Sequence, residues 1–568
     1  MSSASVKPVG IDLGTTFSAI SYVDDGGAPR AIPNPEGTYV TPSAVYIKPD
    51  RSIVVGQKAL DALSERPDRV AVNFKRDMGE KFYSEPIGGR EFSPEALSAL
   101  VLKRLAQDAR NELGEIGGAV ITVPAYFGDA RRKATQDAGR IAGLDVIDII
   151  NEPTAAALAN AFQQYINLGG DQSDLSIARI AARAPSTTMV YDLGGGTFDV
   201  TIIRIDHNDF EVIATGGEVR LGGIDFDQRI VNYFCDEFRR RHGIDPRDTP
   251  ETMERIRATC ELAKIALSDS EQTVLICEHL GRKMQVPISR ARFEQLTADL
   301  IARTQISTEM LLEDAMLSWD RVDNILLVGG SSRIPRVSRM LSEISGKEPE
   351  MAIAPDQIVS HGAALHAAIS VHDRAEHRAS TTTQSTAARQ ERRLDSENAL
   401  RLQDDEEEQR VMQSIMAADA VDAAKRIKLA DVNSHGLGVI VRAKEGQGTA
   451  NSVIIPRNTP LPTSRVKLFG TEAKNQRQVR LRITEGDTRD PRGCTQIGEC
   501  LIRQLPKGLP KGAPVEVSFR YDASGRIHVK AIELTSRISA DVQLERTSGF
   551  AQEDLNKMKD AVSEINVE

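Results

Sequence analysis

Tyr191-Asp-Leu-Gly-Gly-Gly-Thr-Phe-Asp-Val200 is a glycine turn set between two β-favouring runs, residues 188–191 and 200–203. The pattern predicts a strand, a tight turn and a second strand. Three consecutive glycines leave the turn without Cβ atoms, so its N–H groups can close on an anion, and Asp192 and Asp199 on either side can hold a metal ion through water. The stretch therefore suits metal-bound phosphate. Glycine-rich hairpins are also common structural turns, and one copy alone does not separate the two readings.

A second copy separates them. Gly10-Ile-Asp-Leu-Gly-Thr-Thr16 repeats the same grammar: an apolar strand end, Asp-Leu-Gly, hydroxyl residues, then more β-favouring sequence. The chain reads as internally duplicated, with two hairpins that could face each other across a cleft and grip a nucleotide's phosphates, Asp12, Asp192 and Asp199 lying around the cation. This arrangement resembles the actin-like ATPase fold. It departs from P-loop and dinucleotide-binding routes, because neither Gly-x-x-x-x-Gly-Lys-Ser/Thr nor a strand-led Gly-x-Gly-x-x-Gly opening a helix is present.

A chain of 568 residues exceeds what one core supports, which predicts two or three domains. The net charge of −10 argues against a nucleic-acid surface. No apolar run reaches 18 residues and the first seven residues lack a signal peptide's apolar core, so the expectation is a soluble, cytoplasmic protein without a membrane partner. Five scattered cysteines (Cys235, Cys260, Cys277, Cys494, Cys500), with no Cys-x-x-Cys pair, predict reduced and mostly buried thiols.

Between the two hairpins, residues 95–113 carry helical periodicity after Ser93-Pro94, a good helix start. Residues 118–127 read as a strand stopped by Pro124, and 129–142 as a helix whose Arg131, Arg132 and Lys133 are expected on an exposed face. Glu152 opens an alanine-rich helix, a place where the helix N-terminus alone explains an acid. Lys75-Arg76 reads equally well as a solvated pair or as functional. Residues 168–187 look like an inserted surface loop. Beyond the central hairpin, Gly222-Gly223 leads into a helix over 226–241, and a second helix over 257–267 sets Glu261, Lys264 and Ser268 on one face. The strand at 324–328 runs into Gly329-Gly330, where a flat ligand could approach the backbone and Arg333 could stack on it.

Five motifs together, Gly10–Thr16, Val123-Pro-Ala-Tyr-Phe127, Asn151-Glu-Pro-Thr-Ala-Ala-Ala157, Asp192–Asp199 and Val328-Gly-Gly-Ser-Ser-Arg-Ile-Pro335, resemble the seventy-kilodalton heat-shock (DnaK-like) chaperones in order and spacing. The resemblance implies an ATP-dependent chaperone: a duplicated actin-like α/β domain with ribonuclease-H-like halves, then an all-β peptide-binding sandwich and a short C-terminal helix. It implies phosphate contacts from Gly14, Thr15, Thr16, Gly194, Gly195, Gly196, Thr197, Gly222 and Gly223. Asp12, Asp192 and Asp199 would organise Mg2+ and the attacking water, Glu152 would join the metal's water shell, with Asp12, Asp192 and Glu152 reaching the metal mainly through water, and Lys75 would be the cation on the γ-phosphate. Adenosine would lie between Glu261, Lys264 and Ser268 on one side and Gly329, Gly330, Arg333 and Asp356 on the other. Pro124, Arg132 and Asp431 would couple that site to the second domain. ATP or ADP and Mg2+ are the implied cofactors, K+ is admitted, and a J-domain protein, an exchange factor and unfolded polypeptides are the implied partners. Phe17 and Ile224 depart from the family's usual residues.

The predicted domains are 1–372 for nucleotide binding, 373–430 as an inserted acidic or helical linker, 431–545 as the β-sandwich and 546–568 as a truncated lid helix. The run Asp404-Asp-Glu-Glu-Glu408 marks the insertion, and 427–432 occupies the place of an apolar interdomain linker. In the sandwich, Val439, Phe469, Val479 and Leu481 would line a peptide groove, bridged by an ion pair between Arg442 and Glu472. Some 20 residues give roughly 30 Å of helix, too short for a full lid, which predicts fast peptide release. The alternative is a family-derived regulator or exchange-factor-like binder with structural nucleotide and little turnover.

Overall fold

The computed structural model describes residues 6–167, 185–206, 209–371, 428–443, 448–522, 526–544 and 552–563, with Ile565 and Val567. Two mixed sheets carry the first two-thirds of the chain and share one topology. In the first, the hairpin strands Lys7–Asp12 and Phe17–Val23 continue to Pro29–Ala31 on one side, and Ile116–Val123 and Val146–Asn151 add in parallel on the other. In the second, Ser186–Leu193, Phe198–Asp206 and Asp209–Glu218 stand in the same relation, with Asn324–Val328 and Glu350–Met351 parallel beyond them. The duplication read from two glycine motifs is thus a duplication of strand order.

The central strands are apolar almost continuously because both faces are covered. Met189, Tyr191, Val200 and Ile202 pack under the helices of the second lobe, and Val190, Ile203 and Val328 pack against Ala155, Ala156 and Leu158 of the helix Glu152–Asn167. Small residues set how closely the lobes approach: a Cβ on Gly10 would stand 2.0 Å from the backbone of Ala364, and one on Gly362 would stand 1.8 Å from Ala155 O. Helix starts lie earlier than the periodicity suggests. The expected helix at 226 is Gly223–His242, started by Asp225 accepting from Gly222 N at 2.8 Å. The expected helix at 257 is Pro250–Asp269, whose first turns are too charged to show a stripe.

The strands between Leu437 and Leu544 form two four-stranded antiparallel sheets face to face, with Val439, Leu481, Ile483, Val517, Phe519 and Val529 in the shared core. Lys428–Ala430 is not part of a linker coil. It pairs in parallel with Asp209–Glu211 as a sixth strand of the second lobe's sheet; the remainder of the predicted insertion, and most of the expected loop at 168–187, lie outside the described residues. The sandwich then packs on the first lobe: Ser434 Oγ donates to Ala125 O at 2.8 Å, the His435 and Tyr126 rings meet at 4.5 Å, and the Tyr521 hydroxyl donates to Asp129.

The structure corrects the exposed face expected for Arg131, Arg132 and Lys133. All three are half-buried, Arg132 donating to Asn151, Lys133 to Asp137, and Arg131 lying over the Phe127 ring. Their partners lie in the first lobe, and the helix start at Asp129 meets the sandwich.

The C-terminal helix Gln552–Ser563 sits against the helices Pro94–Leu113 and Asp129–Ile141, its Leu555 and Val562, with Val567 beyond, joining the first lobe's core. Lys103 Nζ caps its end, donating to Val562 O, Ser563 O and Ile565 O at 2.6, 3.0 and 2.7 Å. All five cysteines are free, and four are buried. Among the described residues no helix is long and apolar enough to cross a membrane.

Candidate functional site: the cleft between the two hairpins

The two glycine turns do face each other. A Cβ on Gly195 would stand 2.3 Å from Thr16 Oγ1, and one on Gly196 would stand 2.4 Å from Thr15 Cγ2, so only bare backbone permits the approach. Between them opens a cavity of about 550 Å³, lined by Asp12, Gly14, Thr15, Thr16, Lys75, Glu152, Asp192, Gly194, Gly195 and Thr197 at one end. Gly223, Glu261, Lys264, Ser268, Gly329, Gly330, Arg333 and Asp356 line the other. Asp199, Gly196 and Gly222 stand behind this lining. Asp199 accepts from Tyr126 N at 2.9 Å, which ties it to the loop after Pro124.

The carbonyl side of the central turn is fully occupied. Gly194 O accepts from Gly223 N at 3.0 Å, Gly195 O from Ile224 N at 2.9 Å, and Gly196 O from the Arg76 guanidinium. No acceptor among the described residues takes the N–H groups of Gly195, Gly196 or Thr197, which leaves three donors for an anion.

Four acids crowd one cation here. Lys75 Nζ lies 2.6 Å from Glu152 Oε1 with both side chains buried. Burial first, then repulsion from Glu152, pushes Asp12 and Asp199 up to about 7, and the same causes, with Asp12 and Asp199 adding to them, raise Asp192 well above the usual carboxylate range. The excess negative charge fits a hard divalent cation. Among the described residues no three acids come close enough to share an ion directly, so a cation held through its waters and phosphate oxygens fits this donor set.

At the opposite end Lys264 Nζ is held by Asp227 at 2.8 Å and Gly223 O at 3.2 Å. Burial carries Asp227 up to about 6 against the pull of Lys264. Arg333 and Asp356 form an exposed pair at 3.4 Å. Phe17 and Ile224, the two departures from the family pattern, both line the cavity, as do Val40, Asp227, Ile265, Ser331 and Pro355, which the sequence reading missed. Ile265 follows Lys264 directly, and that adjacency was its only signal. Asp227 had none, since its partner is 37 residues away.

A chain of contacts leaves the cleft toward the sandwich. Arg132 donates to Asn151, which precedes Glu152, and Asn151 Nδ2 donates to Asp431 Oδ2 at 2.7 Å. Burial raises the Asp431 carboxyl, opposed by Arg132. In the sandwich, Val439, Val479 and Leu481 are buried in the core and Phe469 packs against it. The expected Arg442–Glu472 ion pair does not form among the described residues: both side chains are exposed, where such a pair gains only about 0–1 kcal/mol.

A family model described as "Hsp70 protein" matches residues 8–88, 85–380 and 411–568. The chain is 36% identical over 559 residues to the "Chaperone protein DnaK" of Thermotoga neapolitana, covering 97% of this chain and 82% of that one. The DnaK proteins of Thermotoga petrophila and Thermotoga maritima match to the same extent. These matches favour an ATPase chaperone over a regulator with little turnover.

Proposed function

The chain belongs to the Hsp70 family and is an ATP-dependent chaperone that couples ATP hydrolysis to binding and release of unfolded polypeptide, and from that premise we propose how its own residues divide the work. The first two lobes form the actin-like, ribonuclease-H-like nucleotide unit, to which strand Lys428–Ala430 contributes, and residues 431–545 form the peptide unit. Thr15, Thr16 and the turn 194–197 hold phosphates. Glu261, Lys264 and Ser268 face Gly330 and Arg333 around adenosine. Asp12, Asp192 and Glu152 hold the waters of Mg2+, which when bound neutralises phosphate charge. Lys75 stabilises negative charge developing on the transferred phosphoryl group, and Asp199, fixed by Tyr126 N, orients the attacking water. A K+ ion, a J-domain partner, an exchange factor and a cytoplasmic setting belong to the same reading, as does a peptide groove bounded by Phe469, Arg442 and Glu472.

The observation that carries the coupling is the hydrogen bond from Asn151 to Asp431: one residue before the catalytic Glu152, the ATPase unit grips the residue that follows the linker strand. Asp431→Ala tests it. Basal hydrolysis is expected to persist while its response to an unfolded polypeptide is lost; an unchanged response would remove Asp431 from the coupling route.

A further inference from the structure

We propose that Arg76 is a positioning residue of the ATPase: reaching from the first lobe, it fixes the carbonyl of Gly196 so that the phosphate-binding turn of the second lobe stays closed and ordered. The turn consists of three glycines, so no side chain of its own holds its shape. Two of its three carbonyls are held by Gly223 and Ile224 of the second lobe itself. The third is held from across the cleft, by Arg76 Nη2 at 2.9 Å and Nε at 3.1 Å.

Arg76 is itself held. Its Nη2 lies 2.5 Å from Asp225 Oδ2, and the same carboxylate caps the helix Gly223–His242 through Gly222 N at 2.8 Å. Only a planar guanidinium can serve a carbonyl and a carboxylate together in this way; an ammonium has no such fork. The side chain is 16% exposed, so the pair escapes most of the solvent screening that weakens surface ion pairs. The contrast is Arg220–Asp77, a second pair across the same lobes at 3.4 Å, whose arginine is 66% exposed.

Position gives the inference its functional content. Arg76 follows Lys75 in the single turn Phe74–Asp77, so one short element presents an ammonium into the cavity and a guanidinium to the back of the opposing turn. Arg76 does not line the cavity and so acts through Gly196. Opening of the lobes must break this grip, which makes it a determinant of nucleotide release as well as of phosphate alignment. This rests on the cleft being the nucleotide site.

The test measures release of fluorescent ADP and single-turnover ATP hydrolysis for Arg76→Lys and Arg76→Ala in the full chain, with the melting temperature of the nucleotide-free protein as control. Loss of a charge-assisted fork is expected to speed release about tenfold in both variants, with hydrolysis slowed and apo melting little changed. A few millimolar free guanidinium is expected to restore slow release to Arg76→Ala and not to Arg76→Lys. Release within twofold of the unsubstituted chain in either variant, or an acceleration that guanidinium leaves in place, overturns the assignment. If the alanine variant does not fold, the lysine variant decides alone. A chain that binds no ADP even unsubstituted would instead refute the nucleotide site.

Discussion

Glu485→Gln should weaken the pH dependence with which the sandwich packs on the ATPase unit. Glu485 is the last residue of the strand Val479–Glu485, and its Oε1 receives Asp129 N, at the start of the helix Asp129–Ile141, at 3.3 Å. It faces His435, Asp487 and Arg131, with Tyr521 bonded to the neighbouring Asp129. Burial raises its carboxyl above the usual glutamate range, outweighing His435 and Arg131. In the undocked state the group meets water and returns toward the ordinary value. A carboxyl whose pKa is raised by docking holds its proton more tightly in the docked state. Its favourable contribution is fully present below the ordinary glutamate pKa and is lost as pH rises through the raised one. The slope is at most about 1.4 kcal/mol per pH unit for one proton, a tenfold change in the docking equilibrium. Glutamine keeps the acceptor and the shape without the charge. A fluorophore pair on exposed positions of the two units, read from pH 5 to pH 8, measures the docked fraction. The unsubstituted chain should undock as pH rises, and Glu485→Gln should do so with a shallower slope, Asp431 keeping its own raised carboxyl. Equal slopes in the two proteins, or tighter docking of the unsubstituted chain at higher pH, would refute the reasoning.

Lys75→Ala should leave nucleotide affinity largely intact, because most of the cavity lining proposed for adenosine and phosphate lies elsewhere, while removing most hydrolysis; equal losses of binding and single-turnover rate would count against its proposed role at the γ-phosphate. Lys103→Met should loosen the C-terminal helix by roughly 1–2 kcal/mol through three lost carbonyl contacts. Hydrogen exchange in 552–563 should then quicken while exchange in Pro94–Leu113 holds.

Both glycine hairpins were legible because their requirement is local. A backbone that must approach Thr15 and Thr16 without Cβ atoms leaves a run of glycines in the sequence. The face formed by Glu261, Lys264 and Ser268 was legible for the same reason, since helical spacing alone places them together. What stayed hidden depends on distant partners. Nothing near Asp129 marks its bond to Tyr521, 392 residues on, and nothing near Arg76 marks Asp225, 149 residues on. Lys428–Ala430 is too short to show a period, and only its neighbour Asp209–Glu218 makes it a strand. The groove residues misled for another reason: alternation separates inward from outward faces, and the inward face of this sandwich is its core.

Single-turnover hydrolysis of ATP by the full chain, with and without an unfolded polypeptide, tests the coupling of cleft and sandwich most directly. The route from Glu152 through Asn151 to Asp431 predicts faster hydrolysis when polypeptide is present and faster polypeptide release when ATP is bound. Identical hydrolysis in both conditions, with release indifferent to nucleotide, would contradict it.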